Sequence, residues 1–354
     1  MNGSVKIYTD ITPLGEGQLK NLSPIFSFHW KGLDKSQIFS GEFNEDSPFC
    51  LSEDPNEADF FALLMHWTYY LWNNRAKMHE AMYLAEIANK YGKPVIVWFK
   101  GDLVPNIPFE NYLLFLPGIV RKTMKHEYRA CPVFIDDPKP NYSTEKNRLR
   151  QKMVRPRVGF CGYGTMGPVK LGWSVASGLY LNAFQQLNQP DYSEIPIIPA
   201  TLLRNRALKY LRGNSQIEPL FVVNQRYTPN QSSLQTSSTS RIFFSNIYET
   251  DYTLCVRGFG NWSYRFYETL ACGRIPVFVD TDCVLPLETK IDWRRYCVWV
   301  DRSELHLIGE KILDFHSSLS PADFAELQLD CRKLWEEQLS LNGCMMNIQG
   351  YLKA

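Results

Sequence analysis

The run CVRGFGNWSYRFYETLACGRIPVFVD spans residues 255–280. It closes an apolar segment, Tyr252 to Val256, that reads as a strand. Gly258 and Gly260 then permit a tight loop after Arg257. Helical spacing begins near Ser263, with Phe266 and Leu270 four apart on the core-facing side. Ile275 to Val279 is a second strand-like run. Strand, loop, helix and strand in succession make a βαβ unit of a parallel sheet. Ligands bind at the carboxyl ends of such strands. That end here carries Arg257, Gly258, Gly260, Asn261 and Ser263, and the helix start adds N–H groups suited to an anion. Arg265 and Glu268 lie three apart and share a face, with Asn261 on the same side by spacing. A guanidinium with backbone donors suits a diphosphate, and a carboxylate can accept from ribose hydroxyls. An isolated Arg265–Glu268 pair would read as an ordinary surface ion pair. The loop at the strand end favours the ligand site.

Both flanks continue the α/β pattern. Strand Val158 to Cys161, a helix near 170–188, helical Leu202 to Leu211 and strand Leu220 to Asn224 precede the run. Polar residues 229–240 read as a loop, followed by a helix near 241–248. Cys297 to Val300 is a further strand, and Ser303 and Ser320 stand where helix N-caps belong. Ser320-Pro321 places Pro at the first helical position. Before the Pro- and charge-rich linker 137–156, the first half shows strand Val5 to Tyr8 and an irregular stretch, 11–56. Strand-like Ala58 to Met65 follows, then a helix over 73–91 with Gly92 as its C-cap. Pro94 to Phe99 suits a buried parallel strand, and Tyr112 to Leu116 and Pro132 to Ile135 are further candidates. The expected architecture is two Rossmann-like α/β domains facing a central cleft, residues 1–150 and 151–354, the second carrying the C-terminal helices.

Length agrees with that division, because 354 residues allow two to three domains at about 150 each. Lys plus Arg is 38 and Asp plus Glu is 37, a net charge of +1 that argues against coating nucleic acid through bulk charge. A local basic pocket for a phosphate is compatible with it. Nine cysteines are scattered without a C-x-x-C pair, which points to buried reduced thiols. Neither a signal peptide nor a membrane span is expected, and the expected location is cytoplasmic.

Gly162-Tyr-Gly164-Thr-Met-Gly167 follows a strand and precedes a helix, matching G-x-G-x-x-G. Read literally, this is a dinucleotide site and the chain an NAD-dependent oxidoreductase. Pro168 and the polar turn Asn188 to Asp191, where an acidic strand end belongs, weaken that reading. A phosphate- or sugar-facing turn and a purely structural turn are the alternatives. Asp280-Thr-Asp282 resembles a D-x-D metal motif, but its place after a strand favours a turn with capping aspartates. A non-catalytic nucleotide- or glycan-binding protein is the remaining rival reading.

With Leu285-Pro286 and Ile291-Asp292-Trp293 added, the run from 251 to 293 resembles the exostosin family, glycosyltransferase family 47. Weaker similarity extends to Phe160-Cys-Gly-Tyr163, Arg206-Ala-Leu208, Phe221 to Arg226, Ala58 to Phe61 and Gly92 to Val95. The resemblance implies a GT-B architecture with the donor nucleotide sugar on residues 151–354 and the acceptor mostly on residues 1–150. It implies sugar transfer from a nucleoside diphosphate sugar, a UDP sugar first, commonly with inversion, in surface polysaccharide synthesis. Arg265 and Glu268 become donor contacts, joined by Gly162, Gly164, Arg226, Arg257, Gly258, Gly260, Asn261 and Ser263. Arg204 and Arg206 are secondary phosphate candidates. The expected partners are the donor and a glycan or glycolipid acceptor, with peripheral membrane association open. No cofactor and no metal are expected, since Arg and helix N-termini can neutralise the leaving diphosphate. Inverting transfer also needs a base at the cleft wall of the first domain. Asp10 is the leading candidate, with His66, Asp102 and Asp136 beside it, each after a strand-like run. His29 and Trp30 are candidates for an acceptor groove.

Overall fold

The computed structural model describes residues 4–12, 18–33, 37–38, 43–72, 74–138, 149–164, 172–173, 175–180, 182–183, 199–224 and 238–353. Two sheets organise them. The first holds β1 (Val5–Tyr8), β2 (Phe49–Leu51), β3 (Phe60–Ala62), β4 (Val95–Trp98), β5 (Tyr112–Leu116) and β6 (Tyr128–Ala130). Their order is β2-β1-β3-β4-β5-β6, and every pairing is parallel. The second holds β7 (Arg157–Tyr163), β8 (Glu218–Asn224), β9 (Tyr252–Cys255), β10 (Ile275–Asp280) and β11 (Val298–Asp301). It runs β11-β10-β9-β7-β8, again all parallel. Counted from its own first strand, each sheet begins 2-1-3-4-5, the doubly wound order whose direction reverses beside strand 1. The reversals fall between β1 and β3 and between β7 and β9. Central strands β4 and β9 are buried at all their positions, as continuous apolar runs covered on both faces require.

Helices α1 (Pro24–His29), α2 (Trp67–Trp72), α3 (Asn74–Lys90), α4 (Ala200–Arg212) and α5 (Ser238–Tyr248) come first in the chain. They are followed by α6 (Tyr264–Ala271), α7 (Ile308–Ser318), α8 (Pro321–Leu334), α9 (Leu341–Met346) and α10 (Ile348–Leu352). Gly92 ends α3 with φ 63°, the left-handed closure expected of it. Ser320 and Asp323 form a reciprocal capping box at the start of α8. Ser303 does not cap; it sits inside the 3-10 stretch Arg302–Leu307, whose N-cap is Asp301. Among the described residues a 3-10 turn (Leu19–Asn21), α1 and β2 occupy the stretch expected to be irregular. The last strand of the first sheet is β6 rather than Pro132 to Ile135, because Pro132 has no N–H to donate to a ladder. All nine cysteines are unpaired, and every one except Cys50 is buried.

The domain division differs from expectation at one end. Cys344, Met345, Ile348, Tyr351 and Leu352, from α9 and α10, are buried in the core of the first domain. Leu334, Trp335 and Leu339 still belong to the second core. The chain therefore crosses back after about residue 340, and the expected boundary of 151–354 does not hold for its last two helices. Elsewhere an antiparallel bridge pairs Val120 with Cys283 across the domains. Arg121 N donates to Asp282 O at 2.8 Å, and both Arg121 guanidinium nitrogens reach Glu288 at 2.8 Å. Asp280 Oδ1 accepts from Cys283 N at 2.9 Å and Asp282 Oδ2 from Lys122 N at 3.2 Å. The D-x-D aspartates thus cap a turn at the domain junction. Among the described residues no helix is long and apolar enough to cross a membrane.

Candidate functional site

A cavity of about 1180 Å³ lies between the domains. The second domain lines it with Gly162, Arg204, Arg257, Gly258, Ser263, Arg265 and Glu268. These residues surround the β7/β9 reversal, where the loops after neighbouring strands diverge and leave a crevice. Arg204, on α4, spans that crevice. Its Nη2 donates to Arg257 O at 2.7 Å and its Nη1 to Tyr163 O at 3.2 Å, so one guanidinium ties the ends of β9 and β7.

Arg265 stands in the first turn of α6. Its Nη2 donates to Cys161 O at 2.6 Å, and its guanidinium lies 4.6 Å from the Phe160 ring centre and 5.5 Å from that of Phe243. The planar group is fixed by stacking as well as by hydrogen bonding. Gly162 makes room for it: φ is 151°, and a Cβ there would come within 2.8 Å of Arg265 Nη2. Glu268, one turn along α6, is 2% exposed and lines the same cavity. Arg257 Nη1 donates to Gly258 O at 3.1 Å and Phe259 O at 3.2 Å. Burial, and then the charge of Arg302, pull the Arg257 guanidinium down to about 10. Three guanidiniums therefore converge on the cavity beside the start of α6, whose first amides have no earlier carbonyl within the helix.

The glycine loop differs from the expected row of free donors. Gly258 N donates to Trp262 O at 2.7 Å, closing the loop on itself. Gly260 N donates to Asp102 Oδ1 of the first domain at 3.1 Å. Asn261 is buried, and its Oδ1 accepts from Thr281 Oγ1 at 2.5 Å. Neither Gly260 nor Asn261 lines the cavity; both hold the loop in place. Gly164 also lies off the lining, with its missing Cβ facing Leu208 of α4 at 2.9 Å. Ser263 lines the cavity without a side-chain capping bond. Arg206 is exposed and outside the cavity. Arg226 and Gly167 lie outside the described residues.

On the facing wall the structure reorders the candidate bases. Asp10 follows β1 but does not line the cavity, and its Oδ1 accepts from Thr12 N at 2.9 Å. His66 is also off the lining; it bonds Thr68 Oγ1, and burial with the nearby Lys100 charge pulls it down to about 4. Asp102 and Asp136 do line the cavity. Burial raises the Asp102 carboxyl above its ordinary value, opposed by the Gly260 N–H. Lys100 lies beside them, its ammonium lowered by burial. His29 and Trp30 are buried and do not line the cavity. His29 is 2% exposed with Nδ1 at 3.1 Å from Ser47 Oγ, and Trp30 stacks on Phe26 at 5.5 Å. The aromatic wall of the cavity is instead Trp98, stacked 4.4 Å from Phe115, with Phe134 at 6.0 Å. The sequence signal for Trp98 was its place at the carboxyl end of the run Pro94 to Phe99.

Two parallel α/β domains meeting at a cleft along the strand ends define a GT-B-type fold. Residues 208–314 match the sequence model of the Exostosin GT47 domain, so the second domain is exostosin-like over a stretch that includes Arg257, Arg265 and Glu268. Exostosin-1 of Drosophila melanogaster is 35% identical over 86 residues, 24% of this chain. The matched stretch spans only 11% of that relative's length. Among solved structures, a glycosyltransferase from Rickettsia africae is similar over 100% of this chain and 99% of its own, at 12% identity and a TM-score of 0.39. Anabaena Alr3699/HepE, solved in complex with UDP and glucose, is similar over 99% and 100%, at 8% identity and a TM-score of 0.39.

Proposed function

We propose that this protein is a glycosyltransferase that moves a sugar from a nucleoside diphosphate sugar, a UDP sugar first, to a carbohydrate acceptor. The observation that carries the reading is Arg265. It is locked against Phe160 and Cys161 O at the start of α6, inside the stretch that matches the Exostosin GT47 domain. In the reaction, an acceptor hydroxyl oxygen attacks the anomeric carbon, the bond from that carbon to the diphosphate oxygen breaks, and the hydroxyl proton passes to a base. A single displacement of this kind inverts the anomeric centre. Arg265, Arg257, Arg204 and the first amides of α6 meet the charge that builds on the departing diphosphate. Glu268 accepts from the donor's ribose hydroxyls. These cations supply the neutralisation, so transfer proceeds without a metal.

Asp102 is the base in this reading, in place of Asp10. It lines the cavity from the first domain, its carboxyl is raised by burial, and the Gly260 N–H orients one of its oxygens. A positioned carboxylate of raised pKa is a better proton acceptor than an ordinary surface aspartate. Phe134, partly exposed on the cavity lining, offers an apolar face for the acceptor sugar. The acceptor is a growing surface glycan or glycolipid, and the enzyme works in the cytoplasm or at a membrane surface.

A dehydrogenase fits less well. The 2-1-3-4-5 order of the second sheet is not the NAD-binding order, and β8 ends at Asn224 where an acid would take the ribose. The test is a screen of UDP, GDP and CMP sugars against NAD(H), read by thermal shift and donor hydrolysis, with and without EDTA. Stabilisation and EDTA-insensitive hydrolysis with one nucleotide sugar are expected. Tight NAD binding without any nucleotide-sugar binding contradicts the assignment. Donor binding without transfer to any glycan makes the protein a binding module.

A further inference from the structure

A second concavity of about 270 Å³ lies between α4 and the 3-10 stretch Arg302–Leu307. Arg206 and Tyr210 enter it from α4, and Arg302, Ser303 and His306 from the other side, over a floor that includes buried Leu203. Among the described residues no acidic side chain lines it. Several other arginines of the chain, which has 38 basic and 37 acidic side chains, do find carboxylates. Arg157 pairs with Glu218 at 2.6 Å, Arg295 with Asp330 at 2.8 Å and Arg332 with Asp137 at 2.7 Å. Among the described residues no carboxylate lies within 4.0 Å of Arg206 or Arg302. The two acids flanking Arg302 are turned elsewhere: Glu304 holds Lys311 Nζ at 2.8 Å, and Asp301 Oδ1 accepts from Trp299 Nε1 at 3.2 Å.

The described lining therefore carries two guanidiniums and no carboxylate. Helix α4 carries both Arg206 of this pocket and Arg204 of the cleft, and the charge of Arg302 acts on the buried Arg257 guanidinium. Like charges gathered without a counter-ion cost stability, and an arriving anion removes the cost. Two guanidiniums from separate elements can grip a tetrahedral anion from two sides, with the Ser303 hydroxyl and Tyr210 phenol as further donors.

The geometry points to a second anion site, for a phosphate group, held by Arg206 and Arg302 and separate from the cleft. The phosphate belongs either to a small phosphorylated molecule or to a lipid headgroup. The site stands on its own charge and shape, independently of the donor assignment.

The test titrates inorganic phosphate into the full chain by calorimetry at physiological ionic strength. R265A is the reference, because it weakens any phosphate binding in the cleft. The triple variant R206A/R265A/R302A adds the loss of the second site, and since Arg206 and Arg302 are both exposed, circular dichroism against R265A checks the fold. R265A is expected to bind phosphate, and the triple variant about tenfold more weakly or not at all. Equal binding by the two, or none by either, overturns the proposal. Vesicles of phosphatidic acid and of phosphatidylcholine distinguish the sources: sedimentation with the first alone, lost on replacing Arg206 and Arg302, assigns the headgroup. Phosphate binding without vesicle binding assigns a small molecule.

Discussion

The Gly260 amide of the second domain donates a 3.1 Å hydrogen bond to Oδ1 of Asp102 in the first. It joins the loop that precedes α6 to the wall that faces it. One carboxylate thereby ties that loop to the first domain and also belongs to the cavity lining. Gly118 reinforces the contact, since a Cβ there would meet Trp262 Cδ1 at 2.5 Å.

Asp102→Asn separates the two roles of that carboxylate. Asn still accepts from Gly260, so the loop stays ordered and donor affinity is unchanged. The proton acceptor is gone, and transfer falls by about two to four orders of magnitude. Isothermal titration beside single-turnover kinetics checks both halves. Full transfer by D102N moves the base to Asp136.

The pH profile follows from the same group. Burial raises the Asp102 carboxyl, and the working form is ionised. The acid limb of kcat/KM therefore lies above the range of an ordinary aspartate, with the rate rising as pH rises through it. D102N removes that limb from the residual activity. A profile that is flat through this region in the unmodified protein contradicts the assignment.

Gly260→Ala attacks the contact sterically. Its Cβ would stand 2.7 Å from Asp102 O and 2.8 Å from Asp102 Oδ1, and a backbone oxygen cannot swing aside. Destabilisation of about 1–3 kcal/mol is expected, with loss of transfer. Denaturant unfolding measures the first, and a variant as stable as the parent rules out the close packing.

Gly162→Ala has a different signature. The clashing atom, Arg265 Nη2 at 2.8 Å, is the end of a flexible side chain and yields. Stability drops by only about 1 kcal/mol for the backbone conformation, while the displaced guanidinium weakens donor binding about tenfold. Thermal shift with and without donor separates the two effects.

Ile348→Ala tests the return of the chain to the first domain. Ile348 is 1% exposed in that core, so its truncation costs about 2–5 kcal/mol. Hydrogen exchange locates the loss, which is expected in β5 and β6 before the strands of the second sheet.

Much of the second domain was legible because its signals are contiguous. Tyr252 to Val256, the Gly258 loop and the Phe266/Leu270 spacing lie in one short run, and each depends only on local chemistry. The site beyond that run was less legible. Asp10 and Asp102 both follow strands of the same sheet, and only their positions in space put one on the cavity and the other off it. Arg204 meets Tyr163 and Arg257, 41 and 53 residues away, through the packing of α4 that no local pattern reports. Gly260 and Asn261 fit a ligand loop equally well whether their groups face the ligand or anchor the loop. The short helices α9 and α10 are apolar enough for either core, and tertiary packing alone chose the first.

Donor binding in this reading depends on Arg265, and donor affinity with and without that side chain tests the dependence. Calorimetric titration of the preferred nucleotide sugar into the parent and R265A is expected to show a loss of about ten- to a hundredfold, the worth of a charged hydrogen-bonding group. Transfer activity should fall at least as far. R265A that binds the donor as tightly as the parent and transfers at the same rate rules out this role for Arg265.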